Sequence, residues 1–229
     1  MQRNKAWFFK QNPFTQDLSS QDLDYLDANS EMHTFRKRQT IWKAGDATEH
    51  LYFIRSGMVK VSRVTDDGRE ITLHLVQRNE ILGEMSIVAI GPQTSVAEAY
   101  DESVLYAISS KDFLHVLQSN TRLFMHITRL ISERRRALEN RVEDLLFKTA
   151  HARLASLFLE LAERFGVRDA RGVIINLKLT HREMASLIGA SRETVSFAIL
   201  DLRKDGLVLT EDKRVVLLDE ARLKSLAVT

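Results

Sequence analysis

The 229-residue chain contains no cysteine. Disulfide bonds, cysteine-ligated zinc, iron–sulfur clusters and thiol catalysis are therefore excluded. Long apolar runs are also missing, because no stretch approaches the roughly 20 residues that a transmembrane helix needs. The first ten residues carry charged and aromatic side chains but no apolar signal-peptide core. We therefore expect a cytoplasmic protein with no membrane partner.

Motifs of enzymes are missing as well. The sequence has no Walker loop, no Ser-His-Asp spacing and no metal-binding motif, so we expect that the chain is not an enzyme. Isolated histidines leave haem ligation open as an alternative, although such residues more often serve packing or lie at the surface. The three candidate haem ligands are His74, His115 and His126.

What the chain does have is an ordinary globular composition, with 44% hydrophobic and 28% charged residues. Its length favours two domains, each large enough for its own core. A formal net charge of +2 permits an anionic partner without requiring one.

The N-terminal half has the periodicity of β-strands. From about Thr34 to Ile108 apolar and polar residues alternate, as in Ile71-Leu73-Leu75, and turns that contain glycine separate the runs. Asn79 is expected to occupy a turn position with positive φ. The pattern predicts short strands in a roll or barrel, within a domain that we place at residues 1–120.

A long helix is expected over residues 121–149, because this stretch contains neither glycine nor proline. Apolar residues form a seam along it, which predicts that the helix pairs with a second copy of the chain. The alternative is a long helix that packs against its own β-domain. The seam residues recur every seven positions or lie beside those that do: Phe124, Ile127, Ile131, Leu138, Val142 and Leu145.

Residues 150–229 predict a winged helix-turn-helix. An amphipathic helix ends at Gly166, and a short apolar strand is expected from Val173 to Leu179. Thr180 and Glu183 have capping-box spacing and should start the next helix.

The second helix of the motif should follow directly. Gly189 ends the first helix, and Ser191 can cap a helix from Arg192 to about Lys204. Two apolar segments then flank residues 211–213, as in a hairpin wing.

This second helix carries candidates for base recognition. Val195, Ile199 and Leu202 share one face and are expected in the core. Arg192 can donate two hydrogen bonds to guanine, and Glu193 can accept one from cytosine. The alternative is a solvated first turn in which Glu193 only complements the helix dipole. Base recognition is favoured, because the pair follows a capped turn and precedes a wing.

The stretch Ser191-Arg192-Glu193-Thr194-Val195-Ser196 resembles the recognition-helix signature of the catabolite-activator and fumarate-nitrate regulator (CRP/FNR) superfamily. The similarity extends over nearly the whole chain. It implies that Arg192 and Glu193 contact bases, with Ser196 near them, in palindromic double-stranded DNA bound by a homodimer. RNA polymerase is implied as a further partner.

One residue of this helix departs from the family. Where family members commonly have arginine this chain has Phe197, which exchanges a guanine contact for apolar contact with a thymine methyl group. The residues expected to contact DNA, directly or around the groove and wing, are Thr180, Arg182, Ser191, Arg192, Glu193, Thr194, Ser196, Phe197, Arg203 and Lys213.

Two segments, residues 83–86 and 91–95, are similar in spacing to the phosphate-binding cassette of the same superfamily. Glycine lets backbone amides approach a phosphate, and Glu84 can accept hydrogen bonds from a ribose hydroxyl. Thr94 and Ser95 can donate to phosphate oxygens. The resemblance implies a pocket for a nucleotide effector, and the alternative is a structural corner retained without a ligand.

The cassette departs from that of cyclic-AMP binders. Gln93 stands where those members have arginine, and a neutral amide cannot make the charged bidentate contact with phosphate. Their Thr-Ser pair on the long helix corresponds here to Leu138 and Glu139, so cyclic AMP binding is expected to be weak. Arg134 lies where the family places an arginine that pairs with the pocket glutamate, Glu84. The candidate ligand-binding residues are Gly83, Glu84, Met85, Gln93, Thr94, Ser95, Arg134, Leu138 and Glu139.

Together with the resemblance, the sequence thus predicts an α+β protein in which an antiparallel, jelly-roll-like β-roll, a long dimerisation helix and a winged helix-turn-helix follow one another. We expect a homodimeric, sequence-specific transcription regulator that a small effector controls or that is constitutively active. The alternative is a protein-binding sensor module that has lost specific DNA binding, and only Phe197 favours it.

Overall fold

The computed structural model describes residues 5–47, 49–88 and 91–228. Contacts between Cα atoms divide the chain into two compact units, Met1–Arg136 and Ala137–Thr229. The boundary lies inside the long helix, and each unit has its own core.

The described residues of the first unit form helices, strands and the short 3-10 helix Glu84–Ile87. Its helices are α1 (Lys5–Gln11), α2 (Ser20–Ala28), α3 (Ser110–Ser119) and the beginning of α4 (Thr121–Phe147). Its strands are β1 (Ser30–Phe35), β2 (Thr40–Trp42), β3 (His50–Ser56), β4 (Met58–Val64), β5 (Glu70–Gln77), β6 (Ile81–Leu82), β7 (Val96–Ala99) and β8 (Ser103–Ser109).

The strands form two four-stranded antiparallel sheets, in the orders β1-β8-β3-β6 and β2-β7-β4-β5. Strands distant in sequence are neighbours in both sheets, as in a jelly roll. Residues of both sheets meet in one apolar cluster that includes Ile54, Val59, Val76 and Leu105. The predicted antiparallel β-roll is therefore confirmed.

A second cluster joins the helices to the roll. Phe9 of α1, Phe53 of β3 and Phe113 of α3 are fully buried in it. The rings of Phe9 and Phe53 meet edge to face with 5.2 Å between their centroids. Helices α1 and α2 were not predicted, although they contribute to this core.

A β-bulge limits what alternation could predict in β5. The pairing of β4 with β5 shifts register between Val61 and Ser62, which leaves Leu73 as an extra residue. Thr72 is consequently buried, whereas Ile71 and Leu73 are only partly buried. The alternating residues of β5 therefore do not mark one buried face. Asn79 does have the expected positive φ, at 69°.

Helix α4 ends at Phe147, two residues before the predicted end. Its first turns pack on the β-roll, and Leu123 and Ile127 are buried in the cluster there. Ile127 is thus a core residue, and its assignment to the dimer seam was wrong. The alternative of packing against the chain's own β-domain holds for this part of the helix. Further along, Leu138 and Leu145 are exposed.

The second unit is a helical domain with a small sheet of order β11-β12-β10-β9. Besides the end of α4, its elements are α5 (Ala150–Phe165), β9 (Gly166–Asp169), β10 (Gly172–Ile175), α6 (His181–Ile188), α7 (Arg192–Lys204), β11 (Val208–Glu211), β12 (Arg214–Leu217) and α8 (Glu220–Leu226). Helices α6 and α7 form the expected helix-turn-helix, and β11 and β12 form the expected wing.

Two details of the second unit differ from the sequence prediction. The apolar strand ends at Ile175 rather than at Leu179, and it pairs with β9, which was not predicted. Gly166 follows α5 as expected, but with φ of −72° rather than in a left-handed conformation. Glycine is needed there because a Cβ would lie 2.2 Å from the carbonyl oxygen of Ala162.

Candidate effector cassette and DNA interface

The cassette begins at Gly83, where the chain passes close to β3. Gly83 has φ of 83°, and a Cβ would lie 2.8 Å from the carbonyl oxygen of His50. Only glycine combines this backbone angle with such a close approach. The turn directs the chain into the 3-10 helix that carries Glu84 and Met85.

Glu84 is buried, with 6% of its surface exposed. Its carboxylate forms an ion pair with Arg134 of α4. Arg134 also donates a 2.6 Å hydrogen bond to the carbonyl oxygen of Ile81. The ion pair expected from the resemblance is therefore present, and it ties α4 to the cassette.

The second half of the cassette is held by backbone hydrogen bonds. Gln93 donates its N–H to the carbonyl of Asp46 and accepts from the N–H of Gly45, both at 2.8 Å. The Gln93 side chain is half-buried, and Thr94 is exposed. Met85 is also exposed, and Ser95 is half-buried. Leu138 and Glu139 belong to the second unit, where both are exposed.

Two residues in or beside the cassette were not among the predicted ligand-binding residues. Ser86 is buried, and its hydroxyl oxygen has no hydrogen-bond partner within the described residues. Arg63 of β4 donates from Nε to the carbonyl oxygen of Thr94 at 3.2 Å. Ser86 lies within the segment 83–86. Nothing in the local sequence marks Arg63, because strand pairing brings it to Thr94.

The candidate haem ligands have packing contacts. The rings of His115 and Tyr25 lie 4.8 Å apart, and the ring of His126 meets Phe14 edge to face. His74 is half-buried in β5. These positions agree with the packing roles that were considered beside ligation.

The helix-turn-helix is built by local capping. The hydroxyl of Thr180 accepts from the N–H of Glu183, and the carboxylate of Glu183 accepts from the N–H of Thr180 at 2.7 Å. Gly189 ends α6 with φ of 64°. Ser191 caps α7, because its hydroxyl accepts from the N–H of Thr194 at 3.0 Å. The capping box and the glycine turn were both predicted.

Helix α7 separates a buried face from a solvent face. Val195, Ile199 and Leu202 are buried as expected. Arg192 and Glu193 are exposed in the first turn, and no ion pair or side-chain hydrogen bond to another described residue engages either side chain. Their donors and acceptors are thus available to a ligand.

Ser196 has a different environment. Its hydroxyl donates to the carbonyl of Arg192 at 2.9 Å and lies 2.7 Å from Nδ1 of His181. This contact links α6 to α7 about one helical turn beyond Arg192. His181 was not among the predicted site residues, because its partner lies on another helix.

The remaining predicted DNA contacts lie at the surface of the second unit. Arg182, Phe197, Arg203 and Lys213 are exposed, whereas the hydroxyls of the predicted residues Thr180, Ser191 and Thr194 are engaged in capping. These hydroxyls therefore position the two helices.

The wing turn is fixed by its backbone conformation, by an ion pair and by a backbone hydrogen bond. Asp212 and Lys213 have φ of 47° and 62°, as in a two-residue hairpin turn. The ammonium of Lys178 binds the carboxylate of Asp212 at 2.6 Å and holds the pKa of that carboxyl below its usual value. Leu179 donates its N–H to the carbonyl of Lys213 at 2.8 Å, so the wing is tied to the segment before α6.

Two family models match the chain. One is described as a cyclic nucleotide-binding domain and matches residues 32–120, and the other is a Crp-like helix-turn-helix domain and matches residues 152–226. The CRP-like cAMP-activated global transcriptional regulator of Mycobacterium tuberculosis is 33% identical over 189 residues, which cover 82% of this chain and 84% of that protein. The chain belongs to the CRP/FNR family of transcriptional regulators.

Other CRP/FNR relatives agree with this assignment. The global nitrogen regulator of Nostoc is 33% identical over 186 residues, covering 80% of this chain and 83% of that protein. The solved structure of a CRP-family transcriptional regulator from Thermus thermophilus has a TM-score of 0.72 and 28% identity, covering 86% of this chain and 97% of that chain.

The predicted class is confirmed by these matches. The chain is a CRP/FNR transcription regulator with a DNA-binding helix-turn-helix and a domain of the cyclic nucleotide-binding type, and it is not an enzyme. Within the described ranges, no helix combines the length and the apolar character needed to cross a bilayer.

Proposed function

We propose that this regulator binds a palindromic double-stranded DNA site as a homodimer and reads bases in each half-site with Arg192 and Glu193. The observation that carries this is their exposure in the first turn of a capped second helix, where no other described residue engages either side chain. The N-terminal turns of a recognition helix are the part that contacts base edges in the major groove.

The other candidates divide into two groups. Arg182, Arg203 and Lys213 are exposed cations suited to phosphate contacts that position the protein on the duplex. Thr180, Ser191, Thr194 and Ser196 are held by capping or by His181, so we assign them to orienting the helices and backbone amides toward DNA.

Dimerisation is proposed through the exposed apolar face of α4. Phe124, Leu138, Val142 and Leu145 remain exposed on this face, and Ile131 is half-buried beside it. We propose that residues 1–120 sense the effector, 121–149 dimerise and 150–229 bind DNA. Because it binds DNA, we also propose that the protein acts in the cytoplasm, with RNA polymerase as its partner at promoters.

Control by an effector is proposed to depend on the Glu84–Arg134 pair. We consider two modes, a nucleotide other than cyclic AMP bound at the cassette, or an empty cassette that the ion pair holds in the active shape. Native mass spectrometry of freshly purified protein separates them. A co-purified nucleotide supports the first mode, and empty protein that binds DNA fully supports the second.

Selection of sites from random-sequence DNA by the full-length protein tests the proposed function. We expect an inverted repeat whose half-site centres lie roughly one helical turn, about 10 base pairs, apart. Enrichment of an asymmetric site, or of no sequence, would overturn the proposal.

A further inference from the structure

Two large apolar side chains lie exposed on the recognition helix α7. Phe197 is 68% exposed and Leu200 is 46% exposed. They are three residues apart and therefore neighbours on the helix surface. At about 100° per residue, both lie opposite the buried face that Val195, Ile199 and Leu202 form. The outermost strip of α7 is thus apolar at its centre.

This strip continues the base-reading end of the helix. Phe197 follows Glu193 by four residues, so the two side chains lie one above the other on the same face. A groove that receives Glu193 must also receive Phe197. No ring contact or cation contact to another described residue engages Phe197.

The chemistry of phenylalanine restricts what it can read. The side chain has no donor or acceptor, so it cannot bind the polar edges of bases. The apolar group that unmodified base pairs present in the major groove is the C5-methyl group of thymine. Contact with this methyl group also removes apolar surface of Phe197 from water.

We propose that Phe197 is a specificity-determining residue that contacts a thymine C5-methyl group in each half-site, with Leu200 extending the apolar contact surface. The inference rests on the proposed function, because it requires α7 to enter the major groove. It goes beyond the proposed function because it assigns thymine as a base that this helix selects, in addition to the bases that Arg192 and Glu193 contact.

Deoxyuridine substitution tests the inference, because it removes only the methyl group. Each thymine pair of the selected site is replaced symmetrically, and Kd is measured by fluorescence anisotropy. We expect one thymine position to be sensitive. Loss of its methyl group should lower the wild-type affinity about fourfold per half-site, and about 15-fold when both half-sites are replaced, as calculated from the transfer free energy of one methyl group. Phe197→Ala should bind thymine and deoxyuridine DNA equally there.

Two further variants sharpen the test. Val167→Ala is the matched control, since Val167 is an exposed apolar residue on the edge strand β9 of the same unit, and it should keep the deoxyuridine effect. Phe197→Arg should exchange thymine for guanine at the same position in a new selection, because arginine binds guanine O6 and N7.

The inference is overturned if no thymine is sensitive to deoxyuridine, or if Phe197→Ala keeps the same sensitivity. It is also overturned if Phe197→Ala binds every DNA as the wild type does, which would assign the apolar strip to a protein partner. Failure of the proposed function gives a different result, because the selection would then return an asymmetric site or no site before any thymine is replaced.

Discussion

Glu84 and Arg134 bring opposite charges together where little water reaches them, with 8% and 15% of their side chains exposed. Removing one partner of such a pair leaves an uncompensated buried charge. We therefore predict that Arg134→Met lowers the free energy of unfolding by about 3–5 kcal/mol. Urea unfolding followed by tryptophan fluorescence measures this, because both tryptophans, Trp7 and Trp42, belong to the first unit.

The double variant Arg134→Met, Glu84→Gln is the control. It removes both charges, so it should be more stable than Arg134→Met alone. A double variant that is as unstable as the single one would contradict the assignment of a buried ion pair.

Gln93 leads to a prediction about the effector. We expect weak or absent cyclic AMP binding, and Gln93→Arg should raise the affinity by about 1–3 kcal/mol through a charged hydrogen bond to phosphate. Gln93→Lys supplies the charge without the planar fork and should gain less. Calorimetry with cyclic AMP checks all three proteins. Submicromolar binding by the wild type would show that the missing arginine is not limiting.

The conformations and roles of single residues could be predicted where the signal lies in the local sequence. Asn79 was expected at positive φ, and the spacing of Thr180 and Glu183 was enough to predict the capping box. Arg63 and His181 could not be found in this way, because strand pairing and helix packing bring each to a distant partner.

At the scale of elements, α4 carries the dimer prediction. Replacing Leu138 and Leu145 with aspartate places charges in the proposed apolar interface and should weaken association by several kcal/mol. Sedimentation should then detect monomers at micromolar concentration. Met125→Asp is the control, because Met125 is exposed on the other side of α4, about 140° from Leu138. A double variant that stays dimeric would exclude this interface.

The wing carries a prediction about salt. Lys213→Ala removes an exposed cation from the turn between β11 and β12, so it should weaken binding to every DNA sequence alike. The slope of log affinity against log salt should also become shallower by about one unit per lost phosphate contact. Lys224→Ala, which changes an exposed cation on α8, should leave the slope unchanged. A Lys213→Ala loss confined to the selected site would contradict a phosphate role.

Elements could be predicted where period and caps agree, as in α6 and α7. The segment 173–179 was misjudged because Leu177 and Leu179 are buried without belonging to a strand, and an apolar run alone does not distinguish these cases. The bulge at Leu73 was likewise invisible, since it exists only in the pairing of β4 with β5. Short helices such as α1 owe their stability to tertiary packing rather than to local signals.

At the scale of the whole molecule, family membership and the proposed palindromic site make each recognition contact count twice. A homodimer places one α7 in each half-site, so a lost base contact is lost on both sides of the symmetry axis. Sequence-independent phosphate contacts remain unchanged by such a loss. Comparing the specific and the non-specific DNA affinity of one variant therefore shows whether the mutated residue contacts bases or only phosphates.

Arg192→Ala tests this account most directly. The variant and the wild type are titrated on the selected site and on a scrambled duplex at two salt concentrations. We predict a loss of about 1–3 kcal/mol per half-site on the selected site, from the bidentate guanine contact, and little change on the scrambled duplex. Equal losses on both duplexes would contradict the claim that α7 reads bases through Arg192.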